Sequence, residues 1–296
     1  MQYLDPDCVE RVSPEGFHKQ RPYPWVNLQS TLTPEAFQCL RETLPDVSVF
    51  ERKVGVKRAY GQAPHDRAIL HYRPHLDLAE PWKEFVAELQ GEWYQSFVRR
   101  MLGLRADTRF ILTLEWYYAW QGCGVSPHCD ARRKCGTHIF YFNTEEDWKS
   151  DWGGHILILD DEGHFRAHSA PGFDQLAVAA SLDARGNQSL LFQRTEHSWH
   201  GVRPLSCPAG ALRKLFIVTV NLPSFQVWWR HVRGKDPDGY PIRRPLPAGA
   251  GGSRGPGPVT APPPPLSSSH NTSRACLSSP TQARFAANLS NRKTCS

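Results

Sequence analysis

The sequence predicts a mainly β fold, an antiparallel jelly roll flanked by supporting helices on its N-terminal side. From Ala106 onward, short apolar runs alternate with loops rich in Gly, Pro, Asp and Asn, a pattern typical of a sandwich or barrel. Before Ala106, apolar residues recur at helical spacing instead. A chain of 296 residues with 40% hydrophobic content is long enough to bury a sizeable core.

The helical part is predicted in the first hundred residues. Thr33 followed by Pro34 is an N-cap and first-turn signature, and helical spacing continues from there to Leu44. A longer helix is predicted from about Pro81 to Leu102, where apolar residues recur every four positions. Its aromatic stripe is expected to pack across one face of a sheet.

The β part is predicted to contain about eight strands. The apolar runs cover residues 109–120, 138–142, 155–159, 164–168, 175–180, 189–194, 199–203 and 214–221. Strands and connections of ordinary length occupy roughly ten to twelve residues each. A double-sheet jelly roll is the economical arrangement of such strands, and it brings residues that are distant in sequence together at the ends of its two inner sheets.

Three regions follow from these patterns. Residues 1–105 are a mainly helical support region packed on the barrel, and residues 106–235 are the jelly-roll core. Residues 245–296, rich in Pro, Gly and Ser, are predicted to be a disordered basic tail. This tail holds five Lys or Arg and no acid, which leaves a net charge of +1 for residues 1–244. A nearly neutral body offers no electrostatic footprint for nucleic acid.

The cysteines and the lengths of the apolar segments limit the cellular compartment that is predicted for the protein. The eight cysteines include no Cys-x-x-Cys pair, so neither a zinc ribbon nor a redox motif is indicated. The N-terminus lacks the pattern of a signal peptide, and no apolar run approaches the length of a membrane span. The sequence predicts a reducing, cytoplasmic setting with free thiols, no membrane partner, and an oligomeric state that stays open.

A candidate metal site begins with His128-Cys129-Asp130, which follows the strand-like run 109–120. In an extended chain, His128 and Asp130 lie on the same face, where both could hold one metal ion. His200 is a third candidate ligand, and two histidines with one carboxylate form the facial triad of non-haem Fe(II) oxygenases. The triplet also occurs at His75-Leu76-Asp77, among loop residues, so its surroundings distinguish the copy at position 128.

Other residues near these motifs have competing interpretations. His197 is predicted to be a surface or supporting residue and not a ligand, and Cys129 a structural thiol that points away from the metal. His138 is expected to pack as a hydrogen-bonded core histidine. Trp228 and Trp229 either form a substrate platform or seal the end of the barrel, and sealing is the favoured reading.

Residues 110–221 resemble the 2-oxoglutarate and Fe(II)-dependent oxygenases, and within them the prolyl 4-hydroxylase-like branch. The resemblance is carried by five motifs in order: Tyr118-Ala119-Trp120-Gln121-Gly122, Ser126-Pro127-His128-Cys129-Asp130, Thr137-His138-Ile139-Phe140-Tyr141-Phe142-Asn143, Asp151-Trp152-Gly153-Gly154-His155, and Ser198-Trp199-His200-Gly201-Val202 followed by Arg213. The resemblance implies a double-stranded β-helix, another name for this jelly roll, with the metal at its open end.

The resemblance also implies roles for individual residues. His128, Asp130 and His200 would hold Fe(II) and leave three adjacent positions for 2-oxoglutarate and O2. The planar guanidinium of Arg213 would bind the distal carboxylate of 2-oxoglutarate, while Lys214 points to the opposite side of the strand. Tyr118 either lines the co-substrate pocket or fills the barrel. Ascorbate is expected as a reductant.

Hydroxylation of an aliphatic carbon, with release of succinate and CO2, is the function predicted from these observations. The substrate is open between a protein side chain, prolyl-like, and a small molecule. A non-catalytic metal-binding jelly-roll module holding zinc is the alternative, and a metal-binding hydrolase is a third possibility. Arg213 favours the oxygenase, since a binding module needs no co-substrate clamp. The acidic segment from Thr144 to Trp152 is read as a surface loop, or as a lid favouring a cationic substrate.

Overall fold

Residues 1–233 are the part of the chain that this computed structural model describes, and the predicted tail 245–296 lies outside it. The helices are α1 (Pro6–Arg11), α2 (Pro14–Lys19), α3 (Pro34–Glu42), α4 (Glu80–Gln90), α5 (Glu92–Met101) and α6 (Phe225–Val232). The strands are β1 (Trp25–Gln29), β2 (Glu51–Lys53), β3 (Arg67–His71), β4 (Ile111–Ala119), β5 (Val125–His128), β6 (Lys134–Tyr141), β7 (Ile156–Asp160), β8 (Ala177–Leu182), β9 (Gln188–Gln193), β10 (His200–Val202) and β11 (Arg213–Asn221).

The described strands form two antiparallel sheets. The larger sheet has seven strands in the order β1-β9-β6-β11-β4-β3-β2, and the smaller has four in the order β5-β10-β7-β8. Strands that are far apart in sequence pair within each sheet, as the jelly-roll topology requires. The predicted fold class, mainly β with N-terminal helices, is confirmed.

The two faces of the large sheet carry different parts of the core. On β11, Phe216 faces the helices and packs against Trp82 of α4, with ring centroids 5.1 Å apart. Leu215 faces the other way, into a second cluster with Ile158 of the small sheet. Successive side chains of a strand point to opposite faces of the sheet, which places these two clusters on opposite faces. The odd-numbered residues of β11 therefore face the space between the two sheets.

The predicted long helix is interrupted at Gly91, which divides it into α4 and α5. Gly91 has extended backbone angles (φ −73°, ψ 158°), and a Cβ at this position would lie 3.0 Å from the carbonyl oxygen of Glu88. Glycine is among the poorest helix formers, so the break falls at the weakest residue of the run. The helix predicted from Pro34 is present as α3, with Thr33 accepting a hydrogen bond from the backbone of Ala36.

Two strand predictions need correction. Residues 164–168 form an irregular loop and not a strand, and Asp161 accepts hydrogen bonds there from the backbone N–H groups of His164 and Phe165. The run 109–120 does not continue to the metal-site triplet: β4 ends at Ala119, a turn with Gly122 at φ +81° reverses the chain, and β5 begins in the other sheet.

The N-terminal region contributes more than helices to the fold. Strands β1, β2 and β3 come from it and complete the two edges of the large sheet. Predictions from helical spacing missed this contribution, because the three strands are only five, three and five residues long. No helix within residues 1–233 combines the length and apolar character that crossing a bilayer requires. The six cysteines of this range are free, as predicted.

His138 of β6 is a core histidine, as predicted. It is fully buried, its Nδ1 lies 3.0 Å from the hydroxyl of Tyr94, and its Nε2 lies 2.8 Å from the hydroxyl of Ser189. Burial lowers the pKa of His138 to about 3, because a charged imidazole is poorly solvated there. The side chain is therefore neutral in the folded protein over the whole physiological range.

We expect the burial of His138 to make the protein less stable in mild acid. Below pH 6.5 the unfolded chain binds a proton at this residue that the folded protein excludes, so stability falls as the pH drops from 6.5 toward 3. At pH 5 the loss amounts to about 2 kcal/mol. Urea denaturation at pH 7 and pH 5 measures it, with His138→Gln as the comparison. An equal pH dependence in both proteins would contradict the assignment.

Candidate active site

Sheet register brings the two candidate histidine ligands together. Strands β5 and β10 are antiparallel neighbours in the small sheet, and His200 is paired directly with His128. Their imidazole centroids are 4.4 Å apart. Because side chains of directly paired residues project from the same face, both imidazoles point into the space between the sheets.

Asp130 completes the cluster two residues after His128. Each of the three residues offers one potential ligand atom, and these atoms lie within 4.8 Å of one another. All three side chains are buried, with exposures of 7–8%. Two imidazoles and a carboxylate on one side of a shared point could hold a divalent cation and leave its other positions open.

Hydrogen bonds fix the orientation of each of these groups. The Nδ1 atoms of His128 and His200 lie 3.0 and 2.9 Å from the carbonyl oxygens of Ser126 and Ser198. Protonated Nδ1 atoms donate to these carbonyls and leave both Nε2 atoms with their lone pairs toward the shared point.

Asp130 is held from the large sheet. Its Oδ2 accepts a hydrogen bond of 2.8 Å from the hydroxyl of Thr137, and its Oδ1 lies 3.0 Å from Nζ of Lys134, both on β6. The carboxylate thus has a fixed orientation before any cation arrives, which is the supporting arrangement seen around metal ligands.

Electrostatics keep the three groups in the protonation states that a cation requires. Burial lowers the pKa of both histidines, and for His128 the neighbouring His200 and Arg58 lower it further. Burial alone would raise the pKa of Asp130, but the charge of Lys134 and the two imidazoles outweigh it and hold this pKa well below its usual value. At neutral pH the site therefore presents neutral imidazoles and an ionised carboxylate.

The cluster opens into a cavity of about 700 Å³ between the sheets. Arg213, the first residue of β11, lines the cavity with only 2% of its surface exposed. Within residues 1–233, its Nε and Nη2 atoms have no hydrogen-bond partner, and neither does the buried hydroxyl of Tyr141 on the adjacent strand. Unsatisfied buried donors are costly, so these atoms indicate a site built for an acceptor that enters from outside, such as a carboxylate.

Tyr118 does not line the cavity, contrary to one of its two predicted roles. Its ring stacks on Phe50 with centroids 4.3 Å apart, and its hydroxyl donates to the carbonyl oxygen of Pro45 at 3.0 Å. The physical reason is strand parity: Tyr118 is paired with the outward-facing Lys214. Tyr117, one residue earlier, faces inward and lines the cavity.

Gly154 packs directly against Arg213 and offers a test of its orientation. A Cβ at this position would lie 2.9 Å from Nε of Arg213, and the residue has φ +90°, a conformation that L residues rarely adopt. If Arg213 binds 2-oxoglutarate, as the resemblance implies, Gly154→Ala should displace the guanidinium and raise the KM for 2-oxoglutarate several-fold, with a loss of about 1–3 kcal/mol in stability. Steady-state kinetics and urea denaturation measure both effects.

Gly163 provides the control for this substitution, since it also has positive φ (+79°) but no atom within 4 Å of its Cβ position. Gly163→Ala should destabilise the chain without changing the KM. The same rise in KM for both variants would show that Arg213 is not the group affected.

The remaining predicted residues have clear positions. His75 and Asp77 of the second triplet are exposed and outside the cluster. His197 is half exposed and pairs with Asp161 at 2.9 Å, while Cys129 packs in a separate apolar cluster. Lys214 points outward, as predicted, to Asp147 at 3.0 Å.

The acidic segment agrees with the first of its two readings, a surface loop, whereas the tryptophan pair needs correction. Asp147 pairs with Lys214, Glu146 with Arg41 at 2.8 Å and Glu145 with Arg185 at 3.8 Å, and none of these acids lines the cavity. Trp228 and Trp229 are 54% and 41% exposed beside Phe225 on α6. Such exposure does not fit the predicted seal of the barrel.

Sequence reasoning missed three residues that support the site. Thr137 and Lys134 hold Asp130, and Tyr141 presents its hydroxyl near Arg213. Tyr141 carried a usable signal, because it lies in one of the quoted motifs at an even spacing from Thr137 on one strand, and therefore on the same face. The contacts of Lys134 depend on the turn after Asp130, for which the sequence offered no pattern.

The fold and the donor set define the class: a jelly roll that carries a buried His-Asp-His cluster beside an arginine. Residues 114–221, which include all the residues of that cluster and Arg213, match the 2OG-Fe(II) oxygenase superfamily. The chain thus contains a domain that is similar to those of the 2-oxoglutarate- and Fe(II)-dependent dioxygenases. No curated protein matches its sequence.

Solved structures are similar to this chain at low sequence identity. The non-heme alpha ketoglutarate dependent carbocyclase SnoK from nogalamycin biosynthesis has 11% identity and a TM-score of 0.51, over 81% of this chain and 97% of its own. A Pseudomonas putida prolyl-4-hydroxylase has 14% identity and a TM-score of 0.47, over 68% of this chain and 93% of its own. The likeness to SnoK shows a common fold and nothing about the substrate.

Proposed function

We propose that this protein hydroxylates an aliphatic carbon of its substrate, using Fe(II) held by His128, Asp130 and His200 and 2-oxoglutarate held by Arg213. The observation that carries the proposal is the pairing of two features in one cavity: a three-ligand cluster and a buried guanidinium with unsatisfied donors. A metal site alone would need no such guanidinium.

The donor set fits Fe(II) and a keto acid. Two neutral imidazoles and one carboxylate suit a ferrous ion and leave three adjacent positions open. When bound, Fe(II) with 2-oxoglutarate and O2 supplies the oxidation of a C–H bond, coupled to release of succinate and CO2. Asp130 occupies the position that a halogenase leaves to chloride, and this favours hydroxylation.

The roles of the chain's own residues follow from their surroundings. Lys134 and Thr137 hold the Asp130 carboxylate toward the shared point, and the backbone carbonyls of Ser126 and Ser198 keep both Nε2 atoms free of protons. Arg213 and Tyr141 would donate charge-assisted hydrogen bonds to the distal carboxylate. Apolar side chains of the inner walls, among them Ile139, Leu215 and Phe192, exclude water from this part of the cavity.

Succinate release tests the proposal. Purified protein is incubated with Fe(II), ascorbate as the proposed reductant and 2-oxoglutarate, and succinate is measured with and without candidate substrates. Slow succinate formation that requires both Fe(II) and 2-oxoglutarate is expected even without substrate. Tight zinc binding, with neither succinate formation nor 2-oxoglutarate binding, would show instead a non-catalytic metal-binding module.

A further inference from the structure

Cationic side chains are concentrated around the cavity. Among the described lining residues, seven are cationic and two are anionic, which gives a local net charge of +5: Lys57, Arg58, Arg67, Arg132, Arg133, Lys134 and Arg213 against Glu115 and Asp130. Residues 1–233 as a whole contain 27 Lys or Arg and 27 Asp or Glu. The excess of positive charge therefore belongs to this cavity and not to the protein in general.

The co-substrate and the metal leave this excess unchanged. Fe(II) carries two positive charges and 2-oxoglutarate two negative ones, so the loaded cavity has the same net charge. Lys134 pairs with Asp130 and Arg132 with Glu196 at 3.5 Å, while Arg213 is assigned to 2-oxoglutarate. The five cations other than Lys134 and Arg213 lie on two segments, residues 57–67 before and in β3 and residues 132–133 after Asp130.

One of these cations lies near the reacting centre. Arg58 contributes to lowering the pKa of His128, after burial and His200, and it also acts on His200. Its guanidinium contacts His65, whose ring meets that of His128 edge-on with centroids 4.9 Å apart. An anionic group held on this side of the cavity would therefore bring a neighbouring carbon of the same molecule close to the metal.

The volume of the cavity limits the size of an occupant. The ring of Tyr60 stacks on His168 with centroids 4.8 Å apart, and Gln62 donates a hydrogen bond to the carbonyl oxygen of Ser169 at 3.1 Å. These contacts connect two loops that line the cavity. A volume of about 700 Å³ lies within the range of small-molecule sites, and part of it is taken by 2-oxoglutarate.

We propose that the primary substrate is a small organic anion, with a carboxylate or a phosphate ester that the cations of residues 57–67 and 132–133 bind. This inference rests on the proposed function, since it concerns the same cavity. Low-dielectric walls that carry one sign of charge attract an oppositely charged ligand and orient it. The acids of the segment 144–152, which would have favoured a cationic substrate, lie outside the cavity, and Glu145, Glu146 and Asp147 pair with other residues.

Matched probes test the charge preference. The protein is loaded with Mn(II) and saturating 2-oxoglutarate, so that the Arg213 site is filled, and loading is followed by the Mn(II) EPR signal. Binding of 3-phenylpropionate, the neutral 3-phenylpropionamide and 2-phenylethyl phosphate is then measured from Mn(II)-induced NMR line broadening. We expect at least one acid to bind about tenfold or more tightly than the amide, and the difference to shrink in high salt.

Reversing the charge of two cavity residues tests whether the cavity is the source of the preference for an acid. The double variant Lys57→Glu, Arg132→Glu should lose most of the preference for the acid. Lys83→Glu, Arg105→Glu is the matched control, since it changes the net charge equally at two exposed residues outside the cavity. The control should keep the preference.

Three outcomes would overturn the inference: equal binding of acids and amide, equal loss of preference in both double variants, or binding of a single-stranded oligonucleotide with neither acid bound. A failure to load Mn(II) and 2-oxoglutarate would instead contradict the proposed function, and the EPR signal reports it separately from the probe comparison.

Discussion

Replacing His200 with Ala is expected to abolish succinate formation from 2-oxoglutarate. The substitution removes one of three ligand groups from a buried cluster whose atoms lie within 4.8 Å of one another. Two ligands bind a divalent ion far more weakly than three, because loss even of a supporting group typically costs 10–100-fold in affinity. We expect a loss of more than about 100-fold in both Mn(II) affinity and succinate formation.

His75→Ala is the matched control for this prediction. His75 belongs to the other His-x-Asp triplet and is exposed, so its removal should change neither metal binding nor activity. Circular dichroism and urea denaturation establish that both variants are folded. If His75→Ala were the damaging substitution and His200→Ala were harmless, the choice between the two triplets would be wrong.

Replacing Arg213 with Lys is expected to raise the KM for 2-oxoglutarate by about 10–100-fold while metal binding is retained. Lysine preserves the positive charge but cannot present two parallel N–H donors, and its ammonium would lie in a pocket shaped for a planar group. Because Arg213 is 2% exposed, water cannot replace the lost hydrogen bonds. Steady-state kinetics with varied 2-oxoglutarate and Mn(II) titration separate the two effects.

Two further variants measure how much Tyr141 and Lys214 contribute to the binding of 2-oxoglutarate at Arg213. Tyr141→Phe removes the unsatisfied hydroxyl and nothing else, so it should raise the KM by a smaller factor, several-fold. Lys214→Met changes the adjacent residue, whose side chain pairs with Asp147 outside the cavity, and should leave the KM unaltered. A KM that rises in Lys214→Met as much as in Arg213→Lys would contradict the assignment.

Much of the site could be predicted, because the period of a strand and the chemistry of a ligand set are local properties. The opposite orientations of Arg213 and Lys214 follow from parity alone. Tyr118 shows where such reasoning stops: its face depends on the register between β4 and β11, which lie about a hundred residues apart. Register is fixed by packing across the whole sheet, and the sequence around Tyr118 does not contain it.

The fold, like the site, could be predicted where a feature depends on residues that are close together in the sequence. The apolar runs located most strands of the jelly roll within a few residues. Strand β5 escaped notice because it has four residues and contains Pro127, which is unusual away from a sheet edge. The break at Gly91 had a local signal in the glycine itself, and the regular apolar spacing on either side concealed it.

Because of the way Asp130 is anchored, the geometry of the ligand cluster depends on how the two sheets pack against each other. Both histidines belong to the small sheet, whereas the Asp130 carboxylate is held by Thr137 and Lys134 of the large sheet. The spacing of the three groups is therefore set by the distance between the layers. A substitution at Ile158, fully buried between them and not a cavity residue, would alter that distance and weaken metal binding with every ligand intact. Inactive variants of this protein will thus arise at positions that never meet a metal or a substrate.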